Sequence, residues 1–98
     1  MRGVKYSFEA TLWRSNPPGG WFFLSLPADF SAEIRASFGS EEEGWGRLKA
    51  TARIGQSEWK TAIWFDTKRS TYLLPVKADV RTKEALSEGY ECTVAVWI

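Results

Sequence analysis

One short pattern of residues occurs twice in the chain, and this internal repeat restricts the possible folds more than any other feature. In each copy a Leu-Pro pair is followed by an apolar-Arg pair and then by Glu-Gly and an aromatic residue. The copies are Leu26-Pro27, Ile34-Arg35, Glu43-Gly44-Trp45 and Leu74-Pro75, Val80-Arg81, Glu88-Gly89-Tyr90. The Leu-Pro pairs are 48 residues apart and the Glu-Gly pairs 45 residues apart. We interpret each copy as strand, strand, short helix, strand, with repeats at approximately residues 5–54 and 55–98.

Hydrophobic periodicity predicts six strands and two short helices. Alternating apolar and polar residues indicate half-buried strands, and Gly and Pro residues mark the loops between them. The predicted strands cover approximately residues 5–14, 21–26, 47–54, 58–65, 71–74 and 91–98, and the predicted helices cover residues 31–38 and 77–86. Ile54-Gly55-Gln56-Ser57 is predicted to be a hairpin turn.

The expected fold is mainly β, a single domain over residues 1–98. Each half is too small to close a core alone, so the two halves are predicted to form a six-stranded pseudo-twofold barrel with two short helices. The interior of so small a barrel is filled by side chains. A ligand is therefore expected at a rim, a groove or a loop mouth.

Composition describes a folded domain without a strong charge bias. The 98 residues are 44% hydrophobic and 26% charged, with a net charge of +1, which favours neither a membrane nor a strongly anionic partner. No apolar run approaches the ~18 residues that cross a bilayer, and the N-terminal residues lead directly into a strand, so we expect a cytoplasmic protein. The single cysteine, Cys92, is expected to be a small buried hydrophobic residue on a strand.

The residue types needed for most catalytic mechanisms are missing. Without histidine the chain has no Ser-His or Cys-His pair and no imidazole ligand for a metal, so we expect no catalytic residues, no metal site and no cofactor. The acidic run Glu41-Glu42-Glu43 lacks the ligand spacing of a calcium cage and is expected to be a solvated turn. An enzyme that uses Lys60 or Lys77 as an activated amine is a remaining alternative.

Six tryptophans suggest an aromatic binding surface. If several indoles point outward they can stack on a flat ligand or a partner peptide, whereas indoles that point inward fill the core. Trp13 and Trp21 flank the loop Asn16-Pro17-Pro18-Gly19-Gly20, where a rigid turn can hold a binding lip. The ligand-binding residues predicted at this rim are Trp13, Trp21, Trp64, Lys77 and Arg81.

Basic residues form a second candidate site. Arg47, Lys49 and Arg53 share one face of a predicted strand, and Lys60 on the next strand extends this stripe, which can contact phosphates. The alternative is a solvated outer face paired with glutamates. Arg35 and Arg81 occupy equivalent positions in the two repeats; they either face a groove or pair with helix-end carbonyls and carboxylates.

Five motifs distributed along the chain form a further pattern: Phe8-Glu9-Ala10-Thr11-Leu12-Trp13, residues 21–27 from Trp21 to Pro27, residues 43–55 from Glu43 to Gly55, Trp59-Lys60-Thr61, and residues 72–81 from Tyr72 to Arg81. Together they resemble the bacterial domain-of-unknown-function family DUF1905. The resemblance covers nearly the whole chain and implies a double-split β-barrel without an established activity.

The second repeat also resembles the DNA-binding domains of the AbrB and MazE type. Those proteins are homodimers in which two chains build one barrel, whereas here one chain carries both halves. The resemblance implies nucleic-acid binding through the basic face, but Tyr90 stands where those regulators usually carry Asp.

The sequence thus leads to an ordered set of functional hypotheses. The first is a non-catalytic binding module that takes a small ligand or protein partner at the tryptophan-rich rim. The second is AbrB-like nucleic-acid binding through Arg47, Lys49, Arg53, Lys60 and Arg35, and the third is the lysine-dependent enzyme. The protein is expected to be a monomer or weak dimer.

Overall fold

The computed structural model describes residues 3–15 and 20–98, with the side chain of Trp45 outside the described part. This part of the chain is mainly β, a curled antiparallel sheet of seven strands with two helices. The strands are β1 (Lys5–Thr11), β2 (Trp13–Arg14), β3 (Phe22–Ser25), β4 (Arg47–Ile54), β5 (Ser57–Asp66), β6 (Thr71–Pro75) and β7 (Glu91–Trp97), and the helices are α1 (Ala28–Phe38) and α2 (Ala78–Lys83).

The two edges of the sheet belong to one continuous segment of chain. The strand order is β1-β7-β4-β5-β6-β3-β2, so the outermost strands are β1 and β2, which only Leu12 separates in sequence. At Leu12 the segment changes partner from β7 to β3, and the Leu12 backbone instead bonds to the carbonyl of Tyr90 and the N–H of Gly89, both at 2.8 Å. This change of partner divides the single strand predicted over residues 5–14 and gives seven strands instead of six.

The strand pairings are unchanged when the two halves of the chain are exchanged. Replacing β1 and β2 by β5, β3 by β6, and β4 by β7 converts the β1–β7 pair into β5–β4 and the β2–β3 pair into β5–β6, and all four are observed. The β4–β7 and β3–β6 pairs map onto themselves. The order of strand partners in the sheet is therefore the same when it is followed from either half of the chain.

Alternating side chains of the strands fill the interior of the curled sheet. The inward residues with at most 2% exposure include Leu12, Leu24, Ala52, Ile63, Tyr72, Leu74, Val94 and Val96. Helix α1 adds Ile34 to this core, and α2 adds Val80. Cys92 is also buried, as the strand pattern predicts, and burial raises the pKa of its thiol.

Both helices differ from their predicted bounds by three residues at one end. Helix α1 begins at Ala28 because Pro27 occupies the N-cap and its carbonyl accepts the N–H of Ser31 at 2.9 Å. Helix α2 ends at Lys83 because Ala85 adopts a left-handed conformation with φ of 55°. The N–H of Leu86 then bonds to the carbonyl of Arg81 at 2.8 Å, which is a Schellman termination.

The predicted hairpin between β4 and β5 is confirmed. Ile54 pairs with Ser57 across a two-residue loop in which Gly55 has φ of 57°. A Cβ atom on Gly55 would lie 2.0 Å from Glu84 Oε1, and Glu84 Oε2 accepts a hydrogen bond from Ser57 Oγ at 2.7 Å. The carboxylate of Glu84 therefore holds the end of α2 against the hairpin.

A buried polar network joins α1 to the sheet. Ser31 is fully buried and its Oγ accepts the backbone N–H of Tyr72 at 3.0 Å. The Tyr72 hydroxyl donates to Glu42 Oε2, and Arg35 Nη2 lies 4.0 Å from Glu42 Oε1. Burial, followed by the hydrogen bond to Glu42 and the charge of that carboxylate, raises the pKa of Tyr72 above its ordinary value.

Candidate functional site

The β4–β5 pairing places aromatic and basic side chains opposite each other on the outer face of the sheet. Arg47 is directly across from Trp64, Lys49 from Ala62, and Thr51 from Lys60. Residues that are directly opposite in an antiparallel pair project to the same face. The core residues Leu48, Ala50 and Ala52 alternate with these β4 positions, so the basic stripe faces outward, as predicted.

This outer face contains an open groove with a volume of about 1320 Å³. Short side chains of Thr51, Ala62 and Pro75 line it on the central strands β4, β5 and β6. Trp97 lines it on the β7 side, and Trp21 and Trp64 line it toward β6 and β3. We call this site the outer groove.

Trp21 and Trp64 form an exposed aromatic pair at the outer groove. Their ring centroids are 6.2 Å apart, and the side chains are 54% and 36% exposed. Phe23 stacks behind Trp21 at 6.3 Å with an interplanar angle of 11°. Two of the predicted rim tryptophans therefore share a surface that a flat ligand can reach.

Trp13 supports the aromatic pair from behind. Its ring lies 5.1 Å from Phe23, and its Nε1–H donates to Ser25 Oγ at 3.0 Å. Arg69 Cζ lies 4.6 Å from the Trp13 ring centroid. A hydrogen bond from Arg69 to Asp66 holds the guanidinium there and lowers the pKa of the Asp66 carboxyl.

The basic residues of the predicted stripe differ in how far they are already engaged. Arg47 pairs with Glu43, and Arg53 Cζ lies 5.3 Å from the ring of Trp97. Within residues 3–15 and 20–98, neither Lys49 nor Lys60 has an ion-pair partner. The acidic side chain among the described lining residues is Glu58, which is opposite Arg53.

The remaining predicted site residues lie away from the outer groove. Arg81 Nε donates to the carbonyl of Val76 at 3.2 Å, and its Cζ lies 3.8 Å from the ring of Phe22. Arg35 Cζ likewise lies 3.8 Å from the ring of Phe65, near Glu42. The contacts with the Val76 carbonyl and with Glu42 are of the kind that the sequence offered as the alternative to a groove-facing role.

Lys77 lies in a separate cavity of about 520 Å³ between α2 and the β4–β5 hairpin. Among the other charged groups of this cavity, Lys83 Nζ lies 3.4 Å from Asp79 Oδ2, and Glu84 accepts the hydrogen bond from Ser57. The structure thus unites Trp21, Trp64, Arg47, Lys49 and Lys60, with Trp13 and Arg53 adjacent, and it separates Lys77, Arg81 and Arg35 from them.

Some residues of the outer groove were not identified from the sequence, although a signal for them was present. A two-residue loop at Gly55-Gln56 fixes the β4–β5 register. Once Ile54 is paired with Ser57, each step backward along β4 pairs with one step forward along β5. That register identifies Ala62 and Thr51 as neighbours of the two lysines. The contact of Phe23 with Trp13 follows from the β2–β3 register, in which the two residues are directly opposite, whereas the contact of Arg69 with Trp13 depends on tertiary packing and had no such signal.

Two further observations concern what the described residues contain. Among residues 3–15 and 20–98, no three carboxylate or thiol side chains lie close enough to share a metal ion. Among the residues with assigned structure, no helix has the length and apolar character of a membrane span. The predicted lip at Asn16-Pro17-Pro18-Gly19 lies outside the described residues, but its base is closed by the Ser15 N–H bond to the Trp21 carbonyl at 2.8 Å.

Comparison with curated proteins finds no match. A sequence model of a protein family does match, over residues 8–96, and its description is "Domain of unknown function (DUF1905)". The match includes parts of both repeats. It covers the residues that line the outer groove from Trp21 to Pro75. The chain therefore belongs to the DUF1905 family.

Proposed function

We propose that the protein is a non-catalytic binding module whose ligand lies in the outer groove against Trp21 and Trp64. The observation that carries this proposal is the contact between two exposed indoles at the mouth of a groove. Large apolar side chains that are adjacent and exposed mark interaction sites, whereas isolated exposed residues need no explanation. Within the described part of the chain, Val4 and Tyr90 are the other exposed large hydrophobic residues.

The charge of the groove favours a ligand that combines a flat ring with a negative group. Lys49 and Lys60 are exposed on the face that Trp64 shares. An indole face binds a planar ring by offset stacking, and an ammonium group within reach adds attraction to an anion. We therefore expect weak binding of neutral aromatics and tighter binding of aromatic anions.

We also propose that the curled sheet is a double-split barrel with pseudo-twofold symmetry. If β1 and β2 count as one strand, the curled sheet has the six strands of a double-split barrel, and the conserved pairing pattern supports pseudo-twofold symmetry. The wide face of such a barrel carries the groove on its outside, which agrees with an interior filled by side chains.

Anilinonaphthalene sulfonate is a suitable probe because it carries a flat ring system and an anionic group. We expect its fluorescence to rise on binding to the native chain, and we expect Trp21→Ala and Trp64→Ala each to weaken binding by about five- to tenfold. Tyr90→Ala is the matched control, since Tyr90 is 52% exposed and does not line the outer groove.

Binding that is equal in the native chain and in both tryptophan variants would overturn the proposal. A urea unfolding curve for each variant shows whether the variant is folded at the start of the titration. Neither tryptophan is a core residue, so we expect both variants to unfold in a single transition close to that of the native chain.

A further inference from the structure

The shape of the outer groove suits an extended ligand better than a compact one. Pockets for small molecules usually enclose about 300–1000 Å³ and bury most of the ligand. The outer groove is larger, at about 1320 Å³, and it lies open on the sheet surface across β7, β4, β5 and β6. A ligand that fills it must therefore cross several strands.

Two lysines provide positive charge in the middle of this path. Lys49 and Lys60 are diagonal neighbours on β4 and β5, a relationship that places Cβ atoms about 7–8 Å apart. In the part of the chain that the structure describes, neither forms an ion pair. An ammonium group without a protein counterion is available to a phosphate and releases a solution counterion when it binds one.

The exposed indoles lie beside these lysines along the same face. Trp64 is on β5, four residues from Lys60 and therefore on the same side of the strand, and Ala62 lies between them. The small Ala62 side chain between them is 5% exposed and lines the floor of the groove. Stacking surface and phosphate-binding charge thus follow one another along one line.

We propose that the outer groove binds single-stranded nucleic acid, with bases stacked on Trp21 and Trp64 and phosphates at Lys49 and Lys60. This inference rests on the proposed function and specifies its ligand. An aromatic platform beside a basic groove is the arrangement by which proteins hold single strands with little sequence preference. A duplex keeps its bases stacked on one another, so it offers no base face to these indoles.

The small number of free lysines sets the expected salt dependence. A single strand loses affinity with a logarithmic slope of about −0.7 per neutralised phosphate, so two contacts give a slope of about −1.4. The net charge of +1 is consistent with this modest electrostatic contribution. Duplex binding by many phosphate contacts would give a much steeper slope.

Fluorescence anisotropy of a fluorescein-labelled twelve-nucleotide oligothymidylate tests the inference between about 50 and about 200 mM salt. We expect micromolar binding at the lower salt, and about tenfold weaker binding for Trp64→Ala and for Lys60→Ala. Lys68→Ala and Tyr90→Ala are the matched controls, because both side chains are exposed and neither lines the outer groove. A duplex of the same length is expected to bind at least tenfold more weakly.

We expect Lys60→Ala to remain folded, because the Lys60 side chain is exposed. Loss of binding in this variant can therefore be assigned to the missing ammonium group. The dye titration on the same protein separates the two proposals. Dye binding without oligonucleotide binding would overturn the single-strand inference and leave the binding module standing. Failure of both would overturn both, and oligonucleotide binding that neither Trp64→Ala nor Lys60→Ala weakens would overturn the inference alone.

Discussion

Trp64 and Arg47 lie directly across from each other on β5 and β4, so the aromatic surface and the basic stripe meet on one face of the sheet. Arg47 is held by Glu43 beside the indole, while Lys49 and Lys60 extend the basic surface along the strands toward the β4–β5 hairpin. The aromatic and basic residues that suggest two different functions in the sequence are therefore parts of one groove. A ligand that binds to the aromatic residues is therefore within reach of the basic residues.

Filling the floor of the outer groove should abolish binding, at a cost in stability of about 1–3 kcal/mol, because Ala62 is only 5% exposed. Ala62 lines the groove on the outer face of β5, so Ala62→Leu places a larger side chain between Trp64 and Lys60. We expect loss of dye binding in a fluorescence titration. Ala36→Leu, on an exposed position of α1, is the control and should bind the dye as the native chain does. Undiminished binding by Ala62→Leu would show that the ligand lies elsewhere.

Removing the Tyr72 hydroxyl should destabilise the protein and change its alkaline unfolding. Tyr72→Phe leaves Glu42 with Arg35 as its remaining partner in this network, and loss of a hydrogen bond to a charged group costs about 1–3 kcal/mol. Because the folded-state pKa of Tyr72 is raised, its contribution is complete below about pH 10, the ordinary tyrosine pKa, and is lost as the pH rises further. Urea unfolding between neutral and alkaline pH measures both effects. An alkaline decline that is as steep in Tyr72→Phe as in the native chain would contradict this assignment.

Gly55→Ala should be strongly destabilising, whereas Gly44→Ala should not. Gly55 has a positive φ, which costs a residue with a Cβ about 1–2 kcal/mol, and the new methyl group would also displace Glu84 from the hairpin. We expect a total loss of about 2 kcal/mol or more. A Cβ on Gly44 has no atom within 4 Å, so its substitution should change stability by less than about 0.5 kcal/mol. Equal unfolding midpoints for the two variants would refute the prediction.

Ala85→Gly should stabilise the protein. Ala85 adopts the left-handed conformation that ends α2, and a glycine at this position avoids the steric cost, although it loses more conformational entropy on folding. The expected net gain is about 0.5–1 kcal/mol in a urea titration. In contrast, Ala36→Gly at an exposed position inside α1 should cost about 1 kcal/mol. A loss of stability in both variants would argue against the termination at Ala85.

The ion pair between Asp66 and Arg69 should make stability decline in acid. The folded-state pKa of Asp66 is lowered, chiefly by the hydrogen bond from Arg69, so its contribution is present above the ordinary aspartate pKa of about 4 and is lost as the pH falls through the lowered value. Asp66→Asn should therefore show a shallower acid decline in thermal unfolding measured at a series of pH values. The fluorescence of Trp13 is a second readout, because Arg69 lies against its ring. Identical acid profiles would contradict the prediction.

The sequence was sufficient for the hairpin, the family and the approximate positions of the strands, apart from the division at Leu12, because these depend on local patterns. Alternation from Arg47 to Ile54 and the glycine at position 55 fix both the strand face and the turn. The end of α2 was placed too late because the residue that terminates it is Ala85, and local rules recognise glycine at such a position. The division at Leu12 was missed because it results from a change of strand partner and leaves the alternation intact.

The sequence predicts the types of residue that form the candidate site, but it identifies only some of the individual residues. Trp21 and Trp64 are far apart in sequence, and their contact depends on β3 and β5 both flanking β6. Arg35 and Arg81 lie outside the outer groove, where Arg35 packs on the ring of Phe65 and Arg81 packs on the ring of Phe22. No local sequence pattern predicts these contacts. Residues joined by a short hairpin can be assigned to one face from sequence, whereas residues brought together by helix packing cannot.

The pairing of Lys5 with Trp97 has a consequence for synthesis of the protein on the ribosome. The first strand of the sheet forms its ladder with the last one, so β1 has no partner until β7 has begun to leave the ribosomal exit tunnel. Contacts between such distant parts of a chain form slowly, since the closure of a long loop precedes any gain from pairing. The β4–β5 hairpin can form before β7 is available, but the sheet as a whole can be completed only after β7 has emerged.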